Sequence, residues 1–199
     1  MRTRRRPGTR TLAALALAAV LLAGCTPQEE TPTPDDVAGQ GYVSGDGSVR
    51  TWAPQERSEP VALVGEDFAG EPVDTAAWLG DVVVLNTWFA ACPPCRAEAP
   101  ILHRIATDRA EQGVHVVGLN RVDDAGAAQA FERTYDVPYP SISDPTGAVT
   151  AVLEGVAPIQ ATPTTLVIDS EGRVAARVLG MLDESTINAI IDDVLAEDA

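Results

Sequence analysis

Three regimes of hydrophobic patterning succeed one another along the chain. Residues 11–23, TLAALALAAVLLA, form an unbroken apolar run, whereas residues 26–60 carry few large apolar groups and are rich in Thr, Pro, Glu, Gly, Ser and Asp. From residue 61 short apolar runs alternate with helical periodicity, the pattern of a packed domain. There Val61–Phe68 and Glu71–Val73 flank Ala69-Gly70 and predict a small hairpin. Val82–Leu85 and Val114–Leu119 read as buried parallel strands. Residues 93–110 predict a helix, with Ile101, Leu102 and Ile105 at helical spacing. A second helix is expected over 124–135, with Ala127, Phe131 and Tyr135 on one face, and a short one over 145–153. Thr164–Ile168 and Arg173–Leu179 read as strands joined by the turn Asp169-Ser170-Glu171-Gly172. Ile187, Ile190, Ile191, Val194 and Leu195 form the apolar stripe of a final helix, with Asp183 as its N-cap.

Strands alternating with helices imply parallel pairing through right-handed crossovers, and the closing hairpin adds antiparallel strands. The expected fold class is α/β, a mixed central sheet flanked by helices on both faces, with an N-terminal hairpin extension.

The basic residues Arg2, Arg4, Arg5, Arg6 and Arg10 precede the apolar run. Thirteen residues rise only about 20 Å as a helix, short for a bilayer span. A basic segment, a short apolar segment and a small-residue end predict a signal peptide over 1–24. Leu22-Ala23-Gly24-Cys25 resembles a bacterial lipobox, which implies lipid attachment at Cys25 and an extracytoplasmic, membrane-anchored protein. Residues 25–60 are then expected to be a flexible tether, whose composition cannot bury enough surface to offset ordering. Residues 61–199 are expected to form the domain.

The chain has no lysine, and its formal net charge is −15. Such a surface repels phosphate backbones and argues against nucleic-acid binding. The sequence carries no oligomerisation signal, and a monomer is expected.

The chemistry lies in Cys92-Pro93-Pro94-Cys95, directly after the predicted strand that ends near Thr87. A helix follows at once, so Cys92 sits near an N-cap, where exposed N–H groups and the helix dipole favour a thiolate. Cys92 can attack a substrate disulfide, and Cys95, one turn on, can resolve the mixed disulfide. Pro93 and Pro94 are tolerated in a first turn, but they remove two amide donors and leave the Cys95 N–H as the nearest one to Cys92. A zinc site needs about four ligands. The only histidines, His103 and His115, stand at no metal-binding spacing. No metal or cofactor is expected. A two-residue separation constrains almost no loop, so a static structural disulfide is the weaker reading.

The stretch VVVLNTWFAACPPCRAEAP resembles the active-site segment of TlpA/ResA-like proteins, membrane-tethered thioredoxin-like oxidoreductases. The likeness in layout covers about residues 61–197 and implies a thioredoxin-like fold. It aligns Glu98 with a glutamate three residues after the second cysteine and Pro100 with a helix proline. Asn86 stands where thioredoxin usually has a buried aspartate. Thr162-Pro163-Thr164 matches the slot of a cis-proline that faces the cysteines, where the backbone of Thr162 can pair with an extended substrate. Glu98 reads either as a proton-coupled carboxylate tuning the cysteines or as an exposed helix glutamate. Trp88 reads either as a packing partner of the site or as an ordinary core aromatic. Relatives often carry tryptophan immediately before the first cysteine, where this chain has Ala91.

The resemblance implies a reductase, fed by a membrane thiol carrier and acting on disulfides of secreted proteins such as apocytochrome c. The alternative within the same chemistry is an oxidase that forms disulfides during extracytoplasmic folding. A peroxidase needs threonine where Phe89 stands. Outside this chemistry remain a redox-passive binding module and a copper chaperone.

Overall fold

The computed structural model describes residues 43–157, 159 and 161–197. Cys25 and the leader lie outside the described residues. Strand β1 is Val49–Thr51, β2 Val64–Glu66 and β3 Pro72–Asp74. Strand β4 is Val82–Thr87, β5 Val114–Asn120, β6 Ser141–Ser143, β7 Thr164–Ile168 and β8 Val174–Leu179. Helix α1 is Pro93–Asp108, α2 Ala125–Thr134, α3 Ala148–Val152 and α4 Glu184–Glu197. Asp124 caps α2 by accepting from the Ala127 N–H, and Asp183 caps α4 by accepting from the Thr186 N–H.

Six strands form one mixed sheet in the order β1-β8-β7-β4-β5-β6, and β2 and β3 form the separate hairpin. Strands β4, β5 and β6 are parallel, whereas β7, β8 and β1 run antiparallel to their neighbours. All six residues of β4 are buried, as a central strand covered on both faces requires. Its alternation divides the core. Val82 and Val84 pack with Leu102 and Ile105 of α1 and with Ile187, Ile191 and Val194 of α4. Val83 and Leu85 pack on the other side with Leu63, Val73 and Ile142, and with Val149 of α3. The sheet thus carries helices on both faces, as the alternation of elements implies, in a thioredoxin-like α/β fold.

Two strands depart from the sequence expectation. Strand β1 lies inside the stretch read as tether and pairs with the edge of β8, Val49 opposite Val178 and Thr51 opposite Ala176. The flexible tether therefore does not extend to residue 60. Ala53 is buried, and Arg57 donates to Asp169 at 2.9 Å and to Glu197 at 2.7 Å. Backbone pairing and this ion pair, with both side chains 3% exposed, hold a segment whose composition alone predicts disorder. Strand β6, Ser-Ile-Ser, has one apolar residue in three and gives no run to read; it adds to the free edge of β5.

Candidate active site

The C-terminal end of β4 and the start of α1 build the site. Strand β4 ends at Thr87, the chain turns through Trp88–Ala91, and Cys92 is the N-cap residue of α1. Cys92 and Cys95 form a disulfide, with their Cα atoms 5.3 Å apart. Each cysteine is buried, at 2% exposure. The Cys95 N–H points at Cys92 Sγ, 3.2 Å away. Pro93 and Pro94 occupy the first two helical positions and contribute no N–H. A helix N-terminus normally offers several free amides to a thiolate; here the first turn offers Cys92 essentially one.

The loop before Cys92 is clamped at Ala90. Its N–H donates to Asp123 Oδ2 at 2.6 Å, and its carbonyl accepts from Arg96 Nε at 2.7 Å. Asp123 is held in turn by Asn120 Nδ2 at 2.8 Å. Asn120 Oδ1 accepts from the backbone N–H groups of Val122 and Asp123, fixing the turn that leaves β5. Sequence reasoning did not find Asn120, Asp123 or Arg96. Their one signal is position: Asn120 and Asp123 follow a buried parallel strand beside β4, at the strand end where open α/β sheets place their sites.

Trp88 is buried and joins Cys92, Cys95, Ala99, Ala128 and Phe131 in one cluster. Its ring stacks on Phe131 at 4.4 Å between centroids, and its Nε1 donates to Ser141 Oγ at 3.2 Å. Trp88 is therefore a core aromatic that belongs to the same buried cluster as the two cysteines. Ala91 is exposed.

Glu98 is fully buried, which removes the exposed-glutamate reading. It lies three residues after Cys95 on the buried face of α1, where side chains at that spacing are neighbours. Its Oε1 accepts from Asn86 Nδ2 at 2.8 Å, and its Oε2 accepts from the Leu182 N–H at 2.9 Å. Asn86 Nδ2 also reaches Thr165 Oγ1 at 3.0 Å. Burial pushes the Glu98 carboxyl up to about 7, against the two hydrogen bonds, which favour its ionised form. Pro100 lies inside α1.

The Thr162–Pro163 peptide is cis. Thr162 is exposed and Pro163 is buried. The Pro163 carbonyl accepts from the Gly180 N–H, and the Thr164 N–H donates to Thr87 Oγ1 at 2.8 Å, which ties this segment to the end of β4. Among the described residues, the Thr162 backbone has no hydrogen-bond partner.

The redoxin family pattern matches residues 59–194. The thiol:disulfide interchange protein HelX of Rhodobacter capsulatus is 33% identical over 147 residues, covering 69% of this chain and 80% of that protein. The thiol-disulfide oxidoreductase ResA of Bacillus subtilis is 32% identical over 133 residues, covering 67% and 72%. Among solved structures, a DsbF homologue from Corynebacterium diphtheriae superposes with a TM-score of 0.69 at 32% identity, covering 76% of this chain and 96% of that one. A secreted thiol-disulfide isomerase from Corynebacterium glutamicum gives a TM-score of 0.70 at 28% identity, covering 78% and 99%.

Proposed function

The chain belongs to the redoxin family and is a thiol–disulfide oxidoreductase, and from that premise we propose that it works outside the cytoplasm as a disulfide reductase. The observation that carries the direction is the N-terminus of α1. A dithiol is a strong reductant when its thiolate is poorly stabilised, because a stabilised reduced form makes the disulfide an oxidant. Cys92 has the Cys95 N–H as its near donor and two prolines where further donors would stand.

The reaction runs as two exchanges. The Cys92 thiolate attacks one sulfur of a substrate disulfide, forming a mixed disulfide and releasing one substrate thiolate, which takes up a proton. The Cys95 thiol gives up its proton and attacks Cys92 Sγ. The mixed disulfide breaks, the second substrate thiolate leaves, and the Cys92–Cys95 disulfide forms. Two electrons have passed to the substrate. Glu98, beside Cys95 on α1, is the group we assign to handle the Cys95 proton. Thr162 presents its backbone to an extended substrate, and Trp88 packs beneath the pair.

The substrates in this reading are disulfides of secreted proteins, apocytochrome c among them, and the two electrons that restore the dithiol come from a membrane thiol carrier. The leader pattern and Leu22-Ala23-Gly24-Cys25 support a lipid anchor at Cys25 on the extracytoplasmic face, with a monomer as the working unit.

Equilibrating the Cys92–Cys95 pair against dithiothreitol buffers tests the direction. A potential near or below about −270 mV, the value for thioredoxin, is expected for a reductase. A potential near about −120 mV, that of a strong oxidant such as DsbA, would assign the protein to disulfide formation instead.

A further inference from the structure

A cleft of about 280 Å³ opens between the ends of β4 and β5 and the segment that leads to Pro163. Its size falls just under the range of about 300–1,000 Å³ usual for small-molecule sites, so it suits a side chain or two rather than an organic cofactor. Its walls are mixed. Trp88, Leu119, Val122 and Ile159 supply apolar surface. Thr87 and Thr150 also line it, but their hydroxyls are spent: Thr87 Oγ1 bonds to the Thr164 backbone, and Thr150 Oγ1 donates to Asp144.

Arg121 is, among the described residues, the one charged residue lining the cleft. Among the described residues it has no ion-pair partner, a state it shares with Arg50, Arg96, Arg133 and Arg177, none of which lines the cleft. The acid whose charge it feels is Asp144. That carboxylate is buried and already accepts from the Val149 N–H, the Thr150 N–H and the Thr150 hydroxyl. The guanidinium lies over Gly147, where a Cβ would come within 3.0 Å of Cζ, so the missing side chain makes room for it. An exposed arginine at the rim of a partly apolar cleft, with no ion-pair partner among the described residues and in a chain of net charge −15, is complementary to an acidic group. That group is a carboxylate on a short apolar stem.

We infer that this cleft is a subsite for an acidic side chain flanking the reacting cysteine of a polypeptide substrate, with Arg121 as its specificity-determining residue. The inference deepens the reductase reading and rests on it, because Thr162, where the extended substrate pairs, lines the same cleft. Successive side chains of an extended segment point to opposite faces. A substrate that turns its cysteine sulfur toward Cys92 therefore turns a neighbouring side chain away from it, and the cleft receives one such side chain. Glutamate matches best: its methylenes meet Trp88 and Val122, and its carboxylate meets the guanidinium fork.

The test uses the full-length reduced protein in detergent and two disulfide peptides identical except for Glu or Gln at the residues flanking the cysteines. The Glu peptide is expected to be reduced with about a tenfold higher kcat/KM, the scale of a charge-assisted hydrogen bond in a half-open site. In Arg121→Gln the ratio should fall to about one, and in Arg121→Glu it should fall below one. The ratio within each variant cancels differences in folded fraction and in cysteine reactivity. The overall acidity of the protein works against the acidic peptide, so net charge does not produce the expected preference. A ratio of one or below in the unaltered protein, or a ratio unchanged in Arg121→Gln, overturns the subsite. Hydroxyethyl disulfide separates the two levels. If it is reduced while the peptide ratio is one, the reductase reading stands and the subsite falls. If it is not reduced, the reductase reading falls and the subsite with it.

Discussion

Asn86 donates a 2.8 Å hydrogen bond to Glu98 inside the protein, joining the central strand to the helix that carries both cysteines. The bond matters because of what flanks it. Glu98 shares the buried face of α1 with Cys95, and its second oxygen is fixed by the Leu182 N–H just before α4. An amide at position 86, rather than a second acid, lets one buried carboxylate titrate alone. Two carboxylates there would repel one another and hold one of the two protonated throughout.

Glu98 is expected to set the acidity of the Cys95 thiol. With its carboxyl raised to about 7, Glu98 is mostly neutral below that pH and mostly charged above it. A buried negative charge one helical turn away disfavours the Cys95 thiolate. In reduced Glu98→Gln, the Cys95 thiol pKa should fall by about one unit, on the scale of close charge pairs. The measurement is pH-dependent alkylation of Cys95 in Cys92→Ser and in Cys92→Ser/Glu98→Gln. An unchanged titration would leave Glu98 as a packing element and move the Cys95 proton elsewhere.

Glu98 also sets a sign for stability against pH. Its pKa is about 7 in the folded chain against 4.5 for an unperturbed glutamate, so between these values the native state binds more protons than the unfolded one. Stability from this group is therefore full below about pH 4.5 and is lost as the pH rises through 7. The loss amounts to about 3 kcal/mol when the shift is converted at 1.36 kcal/mol per unit. Glu98→Gln removes it. Urea unfolding of the oxidised proteins should show the variant gaining on the unaltered protein by roughly that amount between pH 5 and pH 8. A constant difference across this range would mean that Glu98 does not titrate there.

Much of this fold is legible in the sequence because its central strands are apolar runs and its helices are capped stripes. Val82–Leu85, Val114–Leu119 and Ile187–Leu195 announce themselves by period alone. CPPC after a strand carries the chemistry without any structure. What stays illegible is held by partners distant in sequence. Strand β1 exists because the edge of β8 offers it hydrogen bonds, and β6 because β5 does the same. The burial of Glu98 depends on Leu182, 84 residues away, so no local pattern separates it from a solvated helix glutamate. Arg121 and Asp123 look like ordinary loop charges until the ends of β4 and β5 lie side by side.

Gly118 is a packing requirement of the site. A Cβ there would collide with Ser141 Oγ and lie 2.6 Å from Trp88 Nε1. Gly118→Ala should therefore break the Trp88–Ser141 hydrogen bond and cost about 1–3 kcal/mol, the usual range for overpacking. Trp88 shares a buried cluster with the cysteines, so the variant should alter the change in tryptophan emission on reduction of the disulfide. Thermal unfolding and redox-difference fluorescence check both parts. An emission change like that of the unaltered protein would place Trp88 outside the redox response.

Arg57 tests the corrected N-terminal boundary of the domain. It is the buried cation joining the segment after β1 to Asp169 and to Glu197 of α4. Arg57→Met keeps the apolar stem but leaves Asp169 with Arg173 as its remaining cation. The expected cost is about 2 kcal/mol, below the usual penalty for an orphaned buried charge because of that second partner. The redox potential of Cys92–Cys95 should not move. Denaturant unfolding with a parallel dithiothreitol equilibration reads both, and an unaltered midpoint would return this segment to the tether.

Asp123 acts on the chemistry through the backbone. The Ala90 peptide is gripped from both sides, its N–H by Asp123 and its carbonyl by Arg96, two residues before the nucleophile. Releasing one grip widens the range of positions open to Cys92 Sγ, and misplacement of a reacting atom is costly in rate. Asp123→Ala should slow exchange with a small disulfide by about tenfold. Asp123→Asn should restore most of that rate, because its carbonyl oxygen can take the place of Oδ2 and still accept from both Ala90 N–H and Asn120 Nδ2. A general electrostatic effect of the carboxylate on Cys92 gives the opposite pattern: Asn and Ala would then behave alike, and both would lower the Cys92 pKa. Stopped-flow exchange rates measured against pH for the three proteins distinguish positioning from charge.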